Sequence, residues 1–183
     1  MAFSVADFTG VIASKGLASS NKFEVAIHFQ DGIRNRALEL MCDTVSIAGK
    51  TIQSTADINY GIRREVAYAA PTYEAIALTF YCTEKMYEKT ELDKWQNKIV
   101  KTNDGENGGT FDVGYYDDYA KDAKIVVTKL GVTGDIVYKH EYREVYPKAI
   151  SSIELSHGTS SGAMKVSATF NYIYWRDATS DSL

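Results

Sequence analysis

Alternation of apolar and polar residues restricts the fold of this 183-residue chain more than any other feature. Every second residue of a β-strand points to the same face of its sheet, so this alternation predicts half-buried strands. The run "KFEVAIHF" shows it, and "ALELMC", "IALTFYC" and "IVYKHEYREV" repeat it. The run "KIVVTKL" is apolar on both faces, which is typical of a strand covered on both sides. The sequence therefore predicts a mainly β fold, a sandwich or barrel of six or more antiparallel strands.

The length of the chain fits a single domain over residues 1–183. Hydrophobic residues make up 45% of it, an ordinary share for a globular protein. Folding would bury about 70% of the surface of the unfolded chain, so neither a metal nor a disulfide is needed for stability. Cys42 and Cys82 occupy apolar positions of strand patterns, and we expect both to be reduced thiols in the core.

One flanking α-helix is predicted at about residues 90–101, in "TELDKWQNKIVKT". Thr90 fits an N-cap, because a hydroxyl can accept a hydrogen bond from the first turn. Leu92, Trp95 and Ile99 recur at helical spacing and form one apolar stripe. We expect these three side chains to anchor the helix in the core, either over an open end of the sheets or along an edge.

Two segments do not follow the strand pattern. Residues 43–71 alternate only weakly and are too long for a turn, which predicts a protruding hairpin with "NYGIRRE" on its returning arm. Residues 103–122 are rich in Gly and Asp and read as a loop fixed by aromatic residues. A loop of that length in a compact domain usually serves a function.

The sequence contains no pattern that indicates catalysis. The histidines, His28, His140 and His157, lie on separate strands or a turn without metal-site spacing. The net charge of −4, with acids and bases interspersed, does not favour a nucleic-acid binder. We expect neither an enzyme nor a bound metal or cofactor, and no small-molecule substrate. The N-terminus lacks the basic flank and apolar length of a signal sequence, and no apolar run is long enough for a bilayer, so we expect cytosolic synthesis.

Aromatic residues lie on both faces of the last predicted strand. Ser167, Thr169 and Asn171 form a small, uncharged second face, which Ile173 and Trp175 continue, and we expect a neighbouring copy or the helix to cover Ile173 and Trp175. The chain also holds 13 Tyr against 7 Phe. Tyrosine is common in strands and is enriched on surfaces that are buried on assembly. Unpaired strand edges must be covered, charged or paired, so pairing between subunits would explain these features. The opposite face of this strand is lined by Met164, Val166, Ala168, Phe170, Tyr172 and Tyr174.

The order of several segments resembles the tail tube protein of contractile-tailed bacteriophages. The likeness rests on "VGYYDDYAKDAKIVV", "YREVYPKAISSIELS" and "FNYIYW", with "NKFEVAI" and "DKWQNKIV" upstream. It extends with gaps from about residue 21 to residue 175. His157 departs from the pattern, since an aromatic residue is commoner there. Residues 1–20 and 176–183 find no clear match, and we expect these termini to be flexible or ordered by assembly.

The resemblance implies a structural role. Six copies would join their sheets edge to edge into a ring, and stacked rings would form the inner tube of the tail, through which the genome leaves. A tail sheath protein, a tape-measure protein, and baseplate and tail terminator proteins are the implied partners. DNA would pass without specific binding. The protein would belong to the virion tail and be assembled in the cytoplasm of the host bacterium.

The resemblance also directs attention to two groups of residues. The long loop at 43–71 would contact the next ring, while Ser167, Thr169 and Asn171 would face either the bore of the tube or solvent. The expected inter-ring residues are Asn59, Tyr60, Arg63, Arg64 and Glu65.

Four other interpretations stay open from the sequence. The same fold could form a single tube-initiator or cap ring of a baseplate, or the inner tube of a type VI-like or bacteriocin particle. A closed barrel with an aromatic lining could instead be a monomeric ligand-binding protein. A hydrolase is the most distant alternative.

Overall fold

The computed structural model of the chain describes residues 4–58, 61–102, 111–158 and 162–179. The helices in these ranges are α1 (Val5–Lys15), α2 (Arg36–Leu40), α3 (Tyr87–Ile99) and α4 (Tyr116–Tyr119). The strands of the first half are β1 (Phe23–His28), β2 (Cys42–Ser46), β3 (Lys50–Thr51), β4 (Ser54–Asp57), β5 (Arg64–Ala67), β6 (Thr72–Tyr73) and β7 (Ile76–Tyr81). Those of the second half are β8 (Val100–Thr102), β9 (Phe111–Val113), β10 (Lys124–Leu130), β11 (Ile136–Arg143), β12 (Tyr146–Ile150), β13 (Lys165–Asn171) and β14 (Tyr174–Asp177).

Two four-stranded antiparallel sheets form the body of the protein. Sheet I has the order β1-β10-β11-β14, and sheet II has the order β12-β13-β7-β2. The prediction of a mainly β fold with six or more antiparallel strands is confirmed. The sheets are not closed into a barrel, so the sandwich is the correct one of the two predicted architectures.

The inner faces of the two sheets supply the core, as the alternating pattern requires. Strand β7 alternates between buried and accessible residues, and β13 does the same. Side chains from both sheets meet in one hydrophobic cluster, which removes their apolar surface from water. Its fully buried members include Ile27, Ile125 and Tyr142 of sheet I and Leu78, Phe80 and Phe170 of sheet II.

The flanking helix begins earlier than the sequence predicts. It starts at Tyr87, and Thr90 lies inside the helix, where its hydroxyl donates to the Met86 carbonyl. The N-terminus is held instead by Glu88, whose carboxylate accepts hydrogen bonds from the backbone N–H and the hydroxyl of Thr83. The predicted N-cap at Thr90 is therefore wrong, because the helix begins at Tyr87 and the backbone N–H of Thr90 already donates to the Met86 carbonyl at 3.0 Å.

Helix α3 packs against strands β12 and β13 through its apolar stripe. Leu92 and Trp95 are buried, while Ile99 is half-buried. The Trp95 ring lies 4.9 Å from the ring of Phe29 and 5.9 Å from that of Phe170, measured between centroids. Its Nε1–H donates to the carbonyl of Tyr119 at 3.1 Å. The helix thus ties sheet I to sheet II at one end of the sandwich.

Several local expectations need correction. The described part of the chain forms three helices, α1, α2 and α4, besides the one that was predicted. Within the supposed loop 103–122, residues 111–119 contain β9, which pairs with β8, and α4. Residues 103–110 lie outside the described ranges. Helix α1 falls in the N-terminal segment without a family match; Ser4 caps it, and no residue of the helix is buried.

The last predicted strand is two strands in different sheets. β13 ends at Asn171, and after a bend at Ile173 the chain continues as β14 in sheet I. This change of sheet moves the inward-facing positions from even-numbered to odd-numbered residues. Trp175 therefore packs against the core of its own subunit, 4.1 Å from the ring of His140, and the expectation that a neighbour or the helix covers it is wrong.

Residues 43–71 begin with β2, which belongs to sheet II, and continue into a hairpin. Strand β4 pairs with β5 from Ser54↔Ala67 to Asp57↔Arg64. Strand β3 pairs with β6 at the base of this hairpin. We call residues 50–73 the arm.

Replacing Trp95 by Ala should lower the free energy of unfolding by about 3–5 kcal/mol, because the ring is only 4% exposed and bridges the two sheets. Urea denaturation followed by circular dichroism measures the change. Tyr115→Ala is the matched control, since that ring is 82% exposed, and it should shift the value by about 0.5 kcal/mol or less. Equal effects of the two substitutions would contradict the role assigned to Trp95.

Candidate functional site

The outer face of sheet II carries small, uncharged side chains. The register places Ser167 beside Thr79 and Thr169 beside Ala77. The hydroxyls of Thr79 and Ser167 are hydrogen-bonded at 2.9 Å. We call this surface the neutral face; its residues are Thr44, Ser46, Ala77, Thr79, Ala149, Ser167 and Thr169.

Sheet II contains three charged residues: Asp43 and Lys165 at one end of the neutral face, and exposed Lys148 in the edge strand β12. Lys165 forms a 2.7 Å ion pair with Asp43, and its ammonium lies 4.6 Å from the centre of the Tyr81 ring. A hydrogen bond from Lys165 lowers the pKa of Asp43, so the pair stays ionised and its charges cancel. At the other end, Asn171 donates to the Tyr146 hydroxyl at 3.3 Å. The structure therefore groups Ser167 and Thr169 and leaves Asn171 at the margin.

Sheet II has two open edges. In the described part of the chain, β2 is hydrogen-bonded only to β7 in this sheet, and β12 only to β13. Pro147 lies in β12, where an edge strand tolerates its missing N–H, and a register shift follows it. Open edges offer backbone donors and acceptors to another chain.

The outer face of sheet I has the opposite chemistry, because cations dominate it. Its centre is the carboxylate of Glu141, which is only 5% exposed. Arg176 approaches it at 2.6 Å, Arg143 at 2.8 Å and Lys124 at 3.8 Å. Burial opposes ionisation of Glu141, but the hydrogen bond from Arg176 and the three positive charges outweigh it and lower the pKa.

Sequence reasoning missed the Glu141 cluster. The residues come from β10, β11 and β14, and Arg176 is 35 residues from Glu141 in sequence. Only the strand register, which sets Glu141 opposite Val126 and Arg176, brings them together. No local spacing pattern could have signalled this.

The arm exposes both charged and apolar side chains. Arg64 pairs with Asp57 at 3.0 Å, and Glu65 accepts a hydrogen bond from Ser54 at 3.2 Å. Arg63 is exposed, and Ile62 is 94% exposed. The predicted residues Asn59 and Tyr60 lie outside the described ranges. Other large apolar residues exposed on or beside the arm are Ile52, Ile58, Val66 and Tyr68.

An aromatic cluster holds the base of the arm. Tyr73 of β6 lies 5.9 Å from Tyr172 and 6.4 Å from Trp175, between ring centroids. Tyr142 lies behind them, and its hydroxyl accepts the backbone N–H of Ala48 at 3.0 Å. The sequence offered no specific signal for this cluster, since alternation marks these residues only as core.

His140 is the titratable member of the cluster. Its ring contacts Tyr138, Tyr142 and Trp175, and only 2% of the residue is exposed. Its Nε2 has no hydrogen-bond partner among the described residues. Burial lowers the pKa of His140 against the opposing influence of Asp177.

Within the described ranges, no group of three or more His, Cys, Asp or Glu residues could hold a metal ion. No helix in the same ranges is both long enough and apolar enough to cross a membrane.

Open sheet edges, a neutral face and an exposed arm on a β-sandwich are typical of a structural subunit. The model of the family described as phage tail tube protein matches residues 17–178. The chain therefore belongs to the phage tail tube protein family and is a structural subunit of a tube.

Solved structures with the same fold come from phage tails and related particles. A chain of the anti-feeding prophage baseplate has a TM-score of 0.62 at 12% identity, and the match covers 88% of this chain and 95% of that one. A chain of the sheath–tube complex of an extracellular contractile injection system has a TM-score of 0.56 at 13% identity, covering 96% and 99%. The SPP1 tail tube has a TM-score of 0.54 at 10% identity, covering 88% and 78%. At these identities the likeness concerns the fold alone. No curated protein sequence matches the chain significantly.

The lowered pKa of His140 predicts that acid destabilises the fold. The folded protein binds fewer protons here than the unfolded chain, so the stabilisation is complete above the ordinary histidine pKa of 6.5. It is lost as pH falls below that value, with a slope of at most about 1.4 kcal/mol per pH unit. Urea denaturation between pH 7 and pH 5 measures the slope.

Two variants isolate the contribution of His140. His140→Phe should flatten the pH dependence in this window, whereas His157→Gln, at an exposed turn, should retain the wild-type slope. A wild-type slope in His140→Phe would mean that other groups cause the dependence.

Proposed function

We propose that six copies of this chain form a ring whose bore is lined by sheet II, and that stacked rings make the inner tube of a contractile tail. The observation that carries this proposal is the neutral face between two open edges, β2 and β12. Pairing β12 of one copy with β2 of the next would complete the ladder of both strands and leave sheet II without an open edge.

The dimensions of such a ring suit passage of a genome. Four strands from each of six copies give a barrel of about 24 strands. With strands ~4.8 Å apart and tilted by ~40°, the backbone cylinder is roughly 50 Å across. The neutral face bears short side chains, so the open bore is roughly 40 Å wide, enough for duplex DNA.

The chemistry of the two faces supports this orientation. A bore through which DNA slides must hold phosphates weakly, and the uncharged side chains of the neutral face meet this requirement. Sheet I presents clustered cations that would retain DNA electrostatically. Ser167 and Thr169 accordingly face the bore, with Asn171 near its margin, and sheet I faces outward.

The arm supplies the contact between rings. Its exposed apolar residues form a surface that water would cover in a single copy, and burial against another ring would stabilise the stack. Arg63, Arg64 and Glu65 are exposed around Ile62, so they can fix the register of that contact by charge. Asn59 and Tyr60 belong to the same proposed contact.

The implied partners follow from the tube. We propose that a tail sheath protein surrounds it, that baseplate and tail terminator proteins bind its two ends, and that a tape-measure protein occupies it during assembly. Solved structures with this fold include a sheath–tube complex, a tube-terminating cap and a sheath/tube terminator. The protein acts as a virion component assembled in the host cytoplasm, with no catalytic activity and no cofactor.

A second candidate is a ring that starts or ends the tube. The likeness to the baseplate chain and to the cap of the anti-feeding prophage favours it, with TM-scores of 0.62 and 0.56. Long rods from the purified protein support the tube subunit, whereas single rings that never stack support an initiator or cap.

Reversing both arm arginines, as Arg63→Glu together with Arg64→Glu, should stop rods from forming while rings persist. The side chain of Arg64 is 75% exposed, so the fold depends little on its pair with Asp57. Negative-stain microscopy of wild type and variant measures the rods. The outcome that refutes an inter-ring role is full-length rods from the variant.

A control separates assembly from folding. Circular dichroism and the melting temperature should be unchanged in the double variant, and Arg63→Lys with Arg64→Lys should still form rods. Loss of the folded signal would mean that the arm supports the core instead of the interface.

Thr169→Lys should slow DNA release by adding one positive charge per copy to the bore. Thr169→Gln has a similar length without the charge and should release DNA at the wild-type rate. Fluorescence of a DNA-binding dye after triggered ejection from particles gives both rates, and higher salt should reduce the difference. Identical rates for the two variants would place Thr169 outside the bore.

A further inference from the structure

The two open edges of sheet II lie at different levels within one copy. Strand β12 pairs with residues 168–171 of β13. Strand β2 pairs with residues 77–80 of β7, and these pair with residues 166–169 of β13. The two edge strands therefore share only the levels of Ala168 and Thr169, and the rest of β2 lies level with the chain that follows β12.

The chain does not leave the edge of the sheet where β12 ends. The backbone N–H of Ser151 donates to the carbonyl of Ser167 at 2.7 Å, and the hydroxyl of Ser151 accepts from the N–H of Ser167 at 3.0 Å. Ile153 then packs against the core, while Leu155 is 80% exposed. We call residues 151–156 the edge extension; they belong to no strand of the described structure.

Tilted strands prevent the copies of a closed ring from joining level with one another. One copy contributes four strands to the bore, which span ~19 Å across the sheet. With a tilt of ~40°, a line drawn across these strands meets the next copy ~16 Å along the strand from the equivalent residue, which corresponds to ~5 residues. The pairing between copies is therefore offset from the level register by about this amount.

The chirality of the chain sets the direction of the offset. The carbonyl of Ser167 points towards β12, and its side chain lies on the neutral face. For an L-residue, these two directions place β12 to the right of β13 when the neutral face is viewed with β13 running upwards. Strands coil around a barrel in a right-handed sense because of their twist. With the neutral face towards the bore, the offset carries β2 towards later residues of the neighbouring edge; with this face outward, it would carry β2 towards earlier ones.

We infer that the end of β2 pairs with the edge extension of the next copy, which becomes a strand only on assembly. Ser46 is level with Ala149 of its own copy, through Ala77 and Thr169. An offset of ~5 residues places it beside Glu154 of the next copy. The inference rests on the proposed function, since the closed ring creates the offset and the orientation of the neutral face gives its direction.

Disulfide formation between introduced cysteines measures this register. In a background of Cys42→Ser and Cys82→Ser, assembled tubes of Ser46→Cys with Glu154→Cys should be oxidised to a ladder of linked copies up to the hexamer on a non-reducing gel. The matched control is Ser46→Cys with Ala149→Cys, whose positions would face each other between copies only in a level register. In the offset register they are ~16 Å apart along the strand, too far for a disulfide, so the control should stay monomeric.

Hydrogen exchange of the unsubstituted protein gives a second measurement that does not depend on cysteine variants. Backbone amides of the edge extension are held by no strand partner in the described single copy, so they should exchange quickly before assembly. In tubes, the new ladder should slow the amides of residues 152–155 by at least about tenfold.

The possible results separate the register from the ring. A ladder from the Ala149 control, or exchange at residues 152–155 that is equal before and after assembly, overturns the inference while the ring stands. A ladder from Ser46→Cys with Glu144→Cys also overturns it, because pairing with earlier residues requires sheet II on the outside of the tube. Absence of rings from the unsubstituted protein overturns the proposed function, and the register with it.

Discussion

The fold and the proposed assembly of this protein depend on the need of backbone N–H and C=O groups for hydrogen-bond partners. Within the described chain, β2 and β12 each have a ladder partner on one side only in sheet II, and their free sides cannot be satisfied by side-chain chemistry. Another strand of matching direction would complete the ladder, and an identical copy would supply it in the proposed ring. The sealed core between the sheets makes this possible, because Phe80, Phe170 and Trp95 hold each copy rigid before it joins its neighbours.

The two outer faces differ in a way that the core does not require. Either face could be polar without affecting the packing inside, yet sheet II carries Ser, Thr and Ala while sheet I gathers cations around Glu141. This division gives the proposed tube an inner wall with little attraction for phosphate and an outer wall with a defined charge.

Local patterns predicted what depends on local spacing. Alternation identified the long strands, because period two is a property of one strand, and the stripe of Leu92 and Trp95 identified the main helix for the same reason. The start of that helix was missed because the hydroxyl that accepts from the backbone N–H of Tyr87 belongs to Thr83, well before the apolar stripe, whereas Thr90 lies directly beside it. Helix α1 was missed because it buries no residue and so leaves no packing stripe.

The sequence by itself determined that this chain is a β protein with a Trp-anchored helix, and its resemblance pointed to the tail tube family. Only the tertiary structure decided which sheet each strand joins. Alternation fixes which residues of one strand share a face. The bend at Ile173 shifts the inward-facing positions from even to odd residue numbers without an obvious signal in the sequence. Glu141, Arg176 and Lys124 meet because strands distant in sequence align in register, and register is set by the packing of the whole sheet.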